Sequence, residues 1–314
     1  MDVLVTGGCG YIGSALVPRL VDADAIDRVV VFDSLDSGSP RALFGTLDDG
    51  DGVDFRRGDV REYGDVESAT RGVDAVIHLA AITGAASTHD RRDETFAVNY
   101  DGTENVLTAA GKFDVDTVVF ASSCNVYGRA TSTDIGEEVD PDPINPYAEA
   151  KYEAESLLAD AAEAHDMDAT ALRMSTNYGY APGIRFNLVV NHFVFRALTG
   201  RPLTVYGDGS NWRPFIHVQD AARAYAHAAL NPDQWPNAVY NVGGPDGNYR
   251  VAEVADLVRD EVGPVEITYL EDEHPGPSYH VDFERIEATG FDLEWSLADG
   301  VRDLARRFRE GEHA

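Results

Sequence analysis

Nine residues near the start of the chain, Thr6-Gly7-Gly8-Cys9-Gly10-Tyr11-Ile12-Gly13-Ser14, narrow the possible folds more than any other feature. They follow the apolar run Val3-Leu4-Val5 at once and lead into a helical pattern over Ser14–Val21. The glycines satisfy two spacings, GxGxxG through Gly8, Gly10 and Gly13 and GxxGxxG through Gly7, Gly10 and Gly13. Residues without a Cβ permit a tight turn and let a diphosphate come up to backbone N–H groups at a helix N-terminus. A glycine string alone is equally consistent with a flexible turn. Here a strand precedes it, a helix follows it, and Asp33 lies 20 residues beyond Gly13 at the end of a second apolar run. A carboxylate in that place accepts hydrogen bonds from an adenosine ribose and repels a 2′-phosphate, so NAD is expected over NADP. Gly7, Gly10, Tyr11, Ile12, Gly13 and Asp33 form the expected dinucleotide site.

The rest of the first half repeats the same unit. Asp2–Thr6, Arg28–Asp33, Asp74–Leu79, Thr117–Ser122 and Thr170–Met174 read as buried strands, with a further strand before Gly58. Between them Ser14–Val21, Thr95–Ala110 and Tyr147–Ala164 read as helices. Alternation of this kind predicts an α/β fold with a doubly wound, Rossmann-type parallel sheet covered on both faces. Beyond residue 174 the rhythm weakens and Gly and Pro punctuate the chain, which predicts a smaller, irregular α/β lobe. A chain of 314 residues exceeds the ~250–300 at which single cores stop growing. The division expected is residues 1–174 for the dinucleotide domain, with 216–243 returning to it, and residues 175–215 and 244–314 for a substrate lobe.

Charge excludes several classes of partner. Asp and Glu number 55 against 25 Lys and Arg, a net charge of −30. Such a chain repels phosphate backbones and anionic lipid, so neither nucleic acid nor a membrane surface is expected as a partner. Of the basic residues 23 are Arg, and the two Lys are Lys112 and Lys151. Dispersed carboxylates with few lysines fit a protein kept soluble in concentrated salt, where screening shortens self-repulsion. Cys9 and Cys124 have no CxxC spacing, so neither a disulfide framework nor a metal site is expected. No signal peptide and no apolar run of ~20 residues is evident, which predicts a cytoplasmic protein.

Two further motifs carry chemistry. In Tyr147-Ala148-Glu149-Ala150-Lys151, behind Asn145-Pro146, the i,i+4 spacing puts phenol and ammonium on one helix face. A cation nearby favours phenolate, turning a Tyr with an ordinary pKa near ~10 into a usable base. A solvated surface pair is the plain alternative. Against it, a chain that has nearly eliminated lysine keeps one of its two here. Upstream, Ala121-Ser122-Ser123-Cys124-Asn125-Val126-Tyr127-Gly128 ends a strand, where a hydroxyl can bridge a substrate oxygen and the tyrosine. Asp59 and Val60, in Gly58-Asp59-Val60, suit an adenine edge or a simple turn, and Leu79-Ala80-Ala81 suit backbone passing close to a cofactor. His78 reads as a core histidine.

Taken together these motifs resemble the extended short-chain dehydrogenase/reductases, in their NAD-dependent sugar epimerase/dehydratase group. The likeness also includes Asn99 in NYDGT and Arg213-Pro214-Phe215-Ile216-His217-Val218 with Asp220, and spans nearly the whole chain. It implies Ser123, Tyr147 and Lys151 as the catalytic set, with Asn99 and the last two also on the cofactor. It implies substrate contacts from Ser123, Asn125, Thr176, Asn187, Tyr206 and Arg213, the first of these shared with catalysis. Homodimers joined by a four-helix bundle, here of Thr95–Ala110 and Tyr147–Ala164, are a further implication.

Three departures shape the expectation. Sugar 4,6-dehydratases carry an Asp-Glu pair where Cys124 and Asn125 stand, so the pair that eliminates water is missing. Thr176 stands at a usual Asn. The loop His274-Pro275-Gly276-Pro277-Ser278-Tyr279 lacks a usual Arg. The resemblance therefore implies a nucleotide-sugar epimerase, a UDP-hexose 4-epimerase working through a transient 4-keto sugar and bound NAD. A ketosugar reductase or sugar dehydrogenase of the same family is the alternative, and a non-catalytic NAD-binding regulator the alternative of another class.

Overall fold

The computed structural model describes residues 1–46, 52–84, 86–129, 134–273 and 276–311. The first strands, β1 (Asp2–Thr6), β2 (Arg28–Asp33), β3 (Val53–Arg57), β4 (Ala75–His78), β5 (Thr117–Ser123) and β6 (Asp168–Met174), lie parallel in one sheet. Their centres are continuous Val, Ile, Leu and Phe runs because helices cover both faces of the sheet. One face packs against α1 (Gly13–Val21). The other packs against α2 (Tyr63–Thr70), α4 (Gly102–Lys112) and α5 (Pro146–His165), with the short α3 (Arg92–Phe96) lying against α5.

The helix expected over Thr95–Ala110 differs from what is found. It begins at Arg92, widens into a π-turn over Ala97–Asp101, and continues to Lys112. The cause is Asn99, fully buried in that turn. Its Oδ1 accepts from the Ile82 N–H at 2.8 Å and its Nδ2 donates to the Ile82 carbonyl at 2.9 Å. A π-turn re-aims one side chain without ending the helix, and here it pins the loop behind β4.

Past β6 the chain builds a second set of elements: β7 (Thr176–Tyr178), α6 (Val189–Leu198), β8 (Leu203–Tyr206) and β9 (Trp212–His217). It then returns through α7 (Val218–Leu230), which packs beside α1, and β10 (Val239–Val242), which pairs in parallel with β6. The large sheet thus has seven strands in the order β10-β6-β5-β4-β1-β2-β3. The last elements are β11 (Asn248–Arg250), α8 (Val251–Val262), β12 (Ile267–Leu270), α9 (Glu284–Glu287) and α10 (Leu297–Glu310). They complete a three-stranded sheet β11-β9-β7 and a parallel pair β12-β8, over a core that includes Phe193, Val254 and Leu304.

Buried polar groups fasten these parts together. Asp220, with no exposed surface, accepts from the backbone N–H groups of Glu294 and Trp295 and pairs with Arg223 at 2.8 Å. Strand order reverses at β1, between β4 and β2, so a cleft opens at the carboxyl edge of the sheet. Among the described residues no helix is long and apolar enough to cross a membrane.

Candidate active site

The glycine-rich turn lies at that edge, between β1 and α1. Gly7 has φ +71°, and a Cβ on it would stand 2.7 Å from the Ala80 nitrogen. A Cβ on Gly13 would stand 2.5 Å from the Gly8 carbonyl oxygen and 2.6 Å from that of Gly7. Both positions therefore require glycine, and they bring the turn against Leu79-Ala80-Ala81 behind β4. Asp33 ends β2 beside it, its Oδ2 accepting from the Cys9 N–H at 2.9 Å and its Oδ1 from the Leu35 N–H at 2.8 Å. Each oxygen keeps a lone pair for a further donor.

Tyr11 and Ile12 lead into α1, and the Tyr11 hydroxyl donates to the Gly179 carbonyl at 2.5 Å, so its phenol ties the turn to the segment after β7. Asp59 pairs with Arg61 at 2.5 Å and accepts from the Arg61 N–H at 2.9 Å, the geometry of a turn Asp. Val60 is buried against Gly102, with its carbonyl on Asn105 Nδ2 at 2.9 Å. His78 is a core histidine between Thr6 at 2.6 Å and Thr103 at 3.0 Å, and burial lowers its pKa to about 3.

Asn145 caps α5 through a hydrogen bond from the Ala148 N–H at 3.0 Å, and Pro146 opens the helix. At the second residue of the helix, Tyr147 meets Ser123, which ends β5 in the next layer. Burial raises the Tyr147 phenol, while the Ser123 hydroxyl and then the Arg185 guanidinium oppose the rise. The Ser123 Oγ accepts from the Asn125 backbone N–H at 3.2 Å and from Asn125 Nδ2 at 3.1 Å. Lys151 is 1% exposed, and among the described residues its Nζ has no hydrogen-bond partner. It lies 4.6 Å from the Phe120 ring centroid, and burial lowers its pKa to about 7, against the pull of Glu155. Lys151, expected to act on the Tyr147 phenol, stands one helical turn beyond it in α5.

Of the expected substrate residues, Asn125 lies nearest the centre, its Oδ1 accepting from the Tyr279 hydroxyl at 3.2 Å. Arg213 stacks over the Tyr279 ring at 4.9 Å, joining β9 to the same wall. Asn187 accepts from Arg185 Nε at 3.3 Å, and Thr176 pairs with Phe215 in the small sheet. Tyr206 stands 56% exposed at the end of β8. His274 and Pro275 lie outside the described residues. Sequence reasoning passed over Arg185 and Tyr279. The only signal for Arg185 was its place beside Phe186-Asn187 in a Gly- and Pro-bounded loop; Tyr279 lay in the loop noted for lacking an Arg.

Comparison with known proteins then decides the family. The sequence model described as NAD dependent epimerase/dehydratase family matches residues 3–243. The chain belongs to that family. A low-salt glycan biosynthesis protein of Haloferax volcanii is 32% identical over 96% of both chains. A dTDP-glucose 4,6-dehydratase of an Actinoplanes species is 32% identical over 78% of this chain and 77% of its own. The solved UDP-glucose 4-epimerase of Thermus thermophilus in complex with NAD is 28% identical, with a TM-score of 0.82, covering 98% of this chain and 99% of its own.

The family's NAD fits the residues present. The turn packs so closely on its own backbone and on Ala80 that only glycine fits at Gly7 and Gly13, and among the described residues Lys151 Nζ is a buried donor without an acceptor.

Proposed function

We propose that this member of the family is a nucleotide-sugar epimerase that inverts C4 of a UDP-hexose through a transient 4-keto sugar. The observation that carries this reading is the pair of residues behind Ser123. Cys124 is fully buried, its thiol donates to the Arg173 carbonyl at 3.0 Å, and burial pushes its pKa up to about 12. Asn125 carries an amide. Neither can exchange a proton with a sugar near neutral pH, so the acid and base that expel water from C5 and C6 have no counterpart at these positions. Epimerisation needs only one base at the 4-hydroxyl, returning its proton when the ketone is reduced.

In this reading the N–H groups of the glycine-rich turn hold the NAD diphosphate, Asp33 the adenosine ribose, and Lys151 Nζ the nicotinamide ribose hydroxyls. NAD held there would supply the hydride acceptor and donor that inversion at sugar C4 requires. Tyr147 takes the proton of the 4-hydroxyl and later gives it back. Ser123, already held by Asn125, orients the sugar oxygen toward that phenol. Asn187 and Arg213 neutralise the diphosphate of the sugar nucleotide. The likeness to the Thermus thermophilus UDP-glucose 4-epimerase supports uridine nucleotides and glucose or galactose as the first substrates to try.

Proton NMR of purified protein with UDP-glucose, and separately with UDP-galactose, tests the reading. Interconversion from both directions without added NAD is the expected result. A 4-keto-6-deoxy sugar would identify a dehydratase instead, and turnover only on adding NAD(H) would identify a net oxidoreductase.

A further inference from the structure

A serine hydroxyl has one hydrogen to give and two acceptor positions. At Ser123 a single neighbour takes both acceptor positions: the Asn125 backbone N–H reaches Oγ at 3.2 Å and Asn125 Nδ2 reaches it at 3.1 Å. The first bond follows from the sharp turn over Cys124–Tyr127, which Ser123 caps with its side chain. The second needs the Asn125 amide turned with its nitrogen toward Ser123 and its oxygen away. Tyr279 supplies the cause. Its hydroxyl donates to Asn125 Oδ1 at 3.2 Å, and burial pushes its pKa up to about 12, so the phenol keeps the proton it gives. Tyr279 is in turn fixed from several sides. It is 2% exposed, its N–H donates to the Trp212 carbonyl at 3.2 Å, and Arg213 lies over its ring at 4.9 Å. Beside it Val281 bridges Ile135, whose N–H donates to the His280 carbonyl at 2.8 Å.

We propose that Tyr279 and Asn125 are positioning residues that make Ser123 a one-way donor: with both acceptor positions of its Oγ filled, its hydrogen is left for the oxygen on sugar C4. The inference deepens the epimerase reading and rests on it. A hydroxyl of this polarity does not take up the sugar proton, which leaves that task to Tyr147. It donates to the C4 oxygen as the ketone is reduced and negative charge develops there, and so stabilises that charge. The amide of Asn125 thus acts on the reaction without touching the sugar.

Asn125→Asp separates polarity from shape. The carboxylate has nearly the size of the amide and still accepts from Tyr279, but it brings no hydrogen to Ser123, whose hydroxyl then turns toward it. Losing one donor to a developing oxyanion lowers kcat by about 10²-fold or more, so Asn125→Asp should lose that much with KM for UDP-glucose nearly unchanged. Asn125→Ala leaves the Ser123 hydrogen free and should lose less. Ser123→Ala should fall about as far as Asn125→Asp, and combining the two should add little, because the effect travels through a hydroxyl no longer there. Tyr279→Phe keeps the ring under Arg213, and its smaller loss of kcat should vanish in the Asn125→Ala background. A loss in Asn125→Asp that falls chiefly on KM, or persists in full beside Ser123→Ala, would overturn the inference and make Asn125 a direct contact or a misplaced charge.

Neutron diffraction from crystals exchanged into heavy water reads the same point without turnover. Deuterium on Asn125 Nδ2 should lie toward Ser123 Oγ, with the Ser123 deuteron pointing away from Asn125. A Ser123 deuteron directed at Asn125 Oδ1 contradicts the proposal. If Ser123→Ala turns over at the parental rate, Ser123 leaves the epimerase reading and this inference falls with it. If Ser123→Ala is slow while the deuteron points at Asn125, only the role given to Asn125 and Tyr279 is lost.

Discussion

Tyr147→Phe is expected to lower turnover of UDP-glucose by about 10²–10⁴-fold while leaving the melting temperature and NAD affinity close to those of the parent. Only the hydroxyl is deleted, and the ring keeps its place at the start of α5 beneath Ser123. The neighbours do not replace the lost base. A serine hydroxyl such as that of Ser123 is far too weakly acidic to serve, and the Cys124 thiol is held protonated by burial, its pKa pushed up to about 12. Lys151, whose pKa burial lowers to about 7, is taken up in this reading by the nicotinamide ribose. Steady-state kinetics and a binding titration with NAD, made on the same preparation, check both halves of the expectation. Retained turnover would remove Tyr147 from the reaction, and joint loss of turnover and NAD binding would make it a structural residue.

The second large effect concerns stability. Arg173 on β6 and Glu155 on α5 form a buried pair at 2.7 Å, both side chains under a tenth exposed. Glu155 also accepts from Ser122 Oγ at 2.5 Å, and Arg173 Nη1 donates to the Tyr127 hydroxyl at 2.9 Å, which itself donates to Asn241 Oδ1 at 2.7 Å. This network joins β5, α5, β6 and β10 directly behind the site. Arg173→Met leaves the Glu155 carboxylate buried with one hydroxyl for company, and is expected to cost about 3–5 kcal/mol in denaturant unfolding. Changing Glu155→Leu as well removes the stranded charge, so the double variant should regain a good part of that loss. A double variant no more stable than Arg173→Met would show that the network acts through hydrogen-bond geometry and not through charge.

Much of the fold was legible because parallel strands buried on both faces must be apolar throughout. Val3-Leu4-Val5, Val29-Val30-Val31 and Val118-Val119-Phe120 admit few other readings. The dinucleotide turn was legible for a similar reason: at Gly7 and Gly13 backbone atoms stand where a Cβ would go, and only glycine satisfies that. Tyr147 and Lys151 announced themselves through i,i+4 spacing on a capped helix, a local property.

What stayed hidden depends on partners far away in sequence. The π-turn at Ala97–Asp101 follows from Asn99 bonding to Ile82, and nothing local marks it. Arg185 gains its meaning only when the chain folds it onto Thr83, 102 positions earlier. Likewise the pairing of Glu155 with Arg173, and the burial that lowers the pKa of Lys151, arise from packing between layers. Spacing and composition carry no record of them.

The most direct test of the central claim follows the hydrogen at C4. UDP-glucose carrying deuterium at C4 is incubated with the purified protein in ordinary water, without added cofactor, and both epimers are read by NMR. Hydride removed and returned within one closed site keeps the label, so deuterium should remain at C4 in the UDP-galactose formed and in the UDP-glucose left behind. Loss of the label to solvent, or its transfer to C6 of a 4-keto-6-deoxy sugar, would contradict epimerisation by this route.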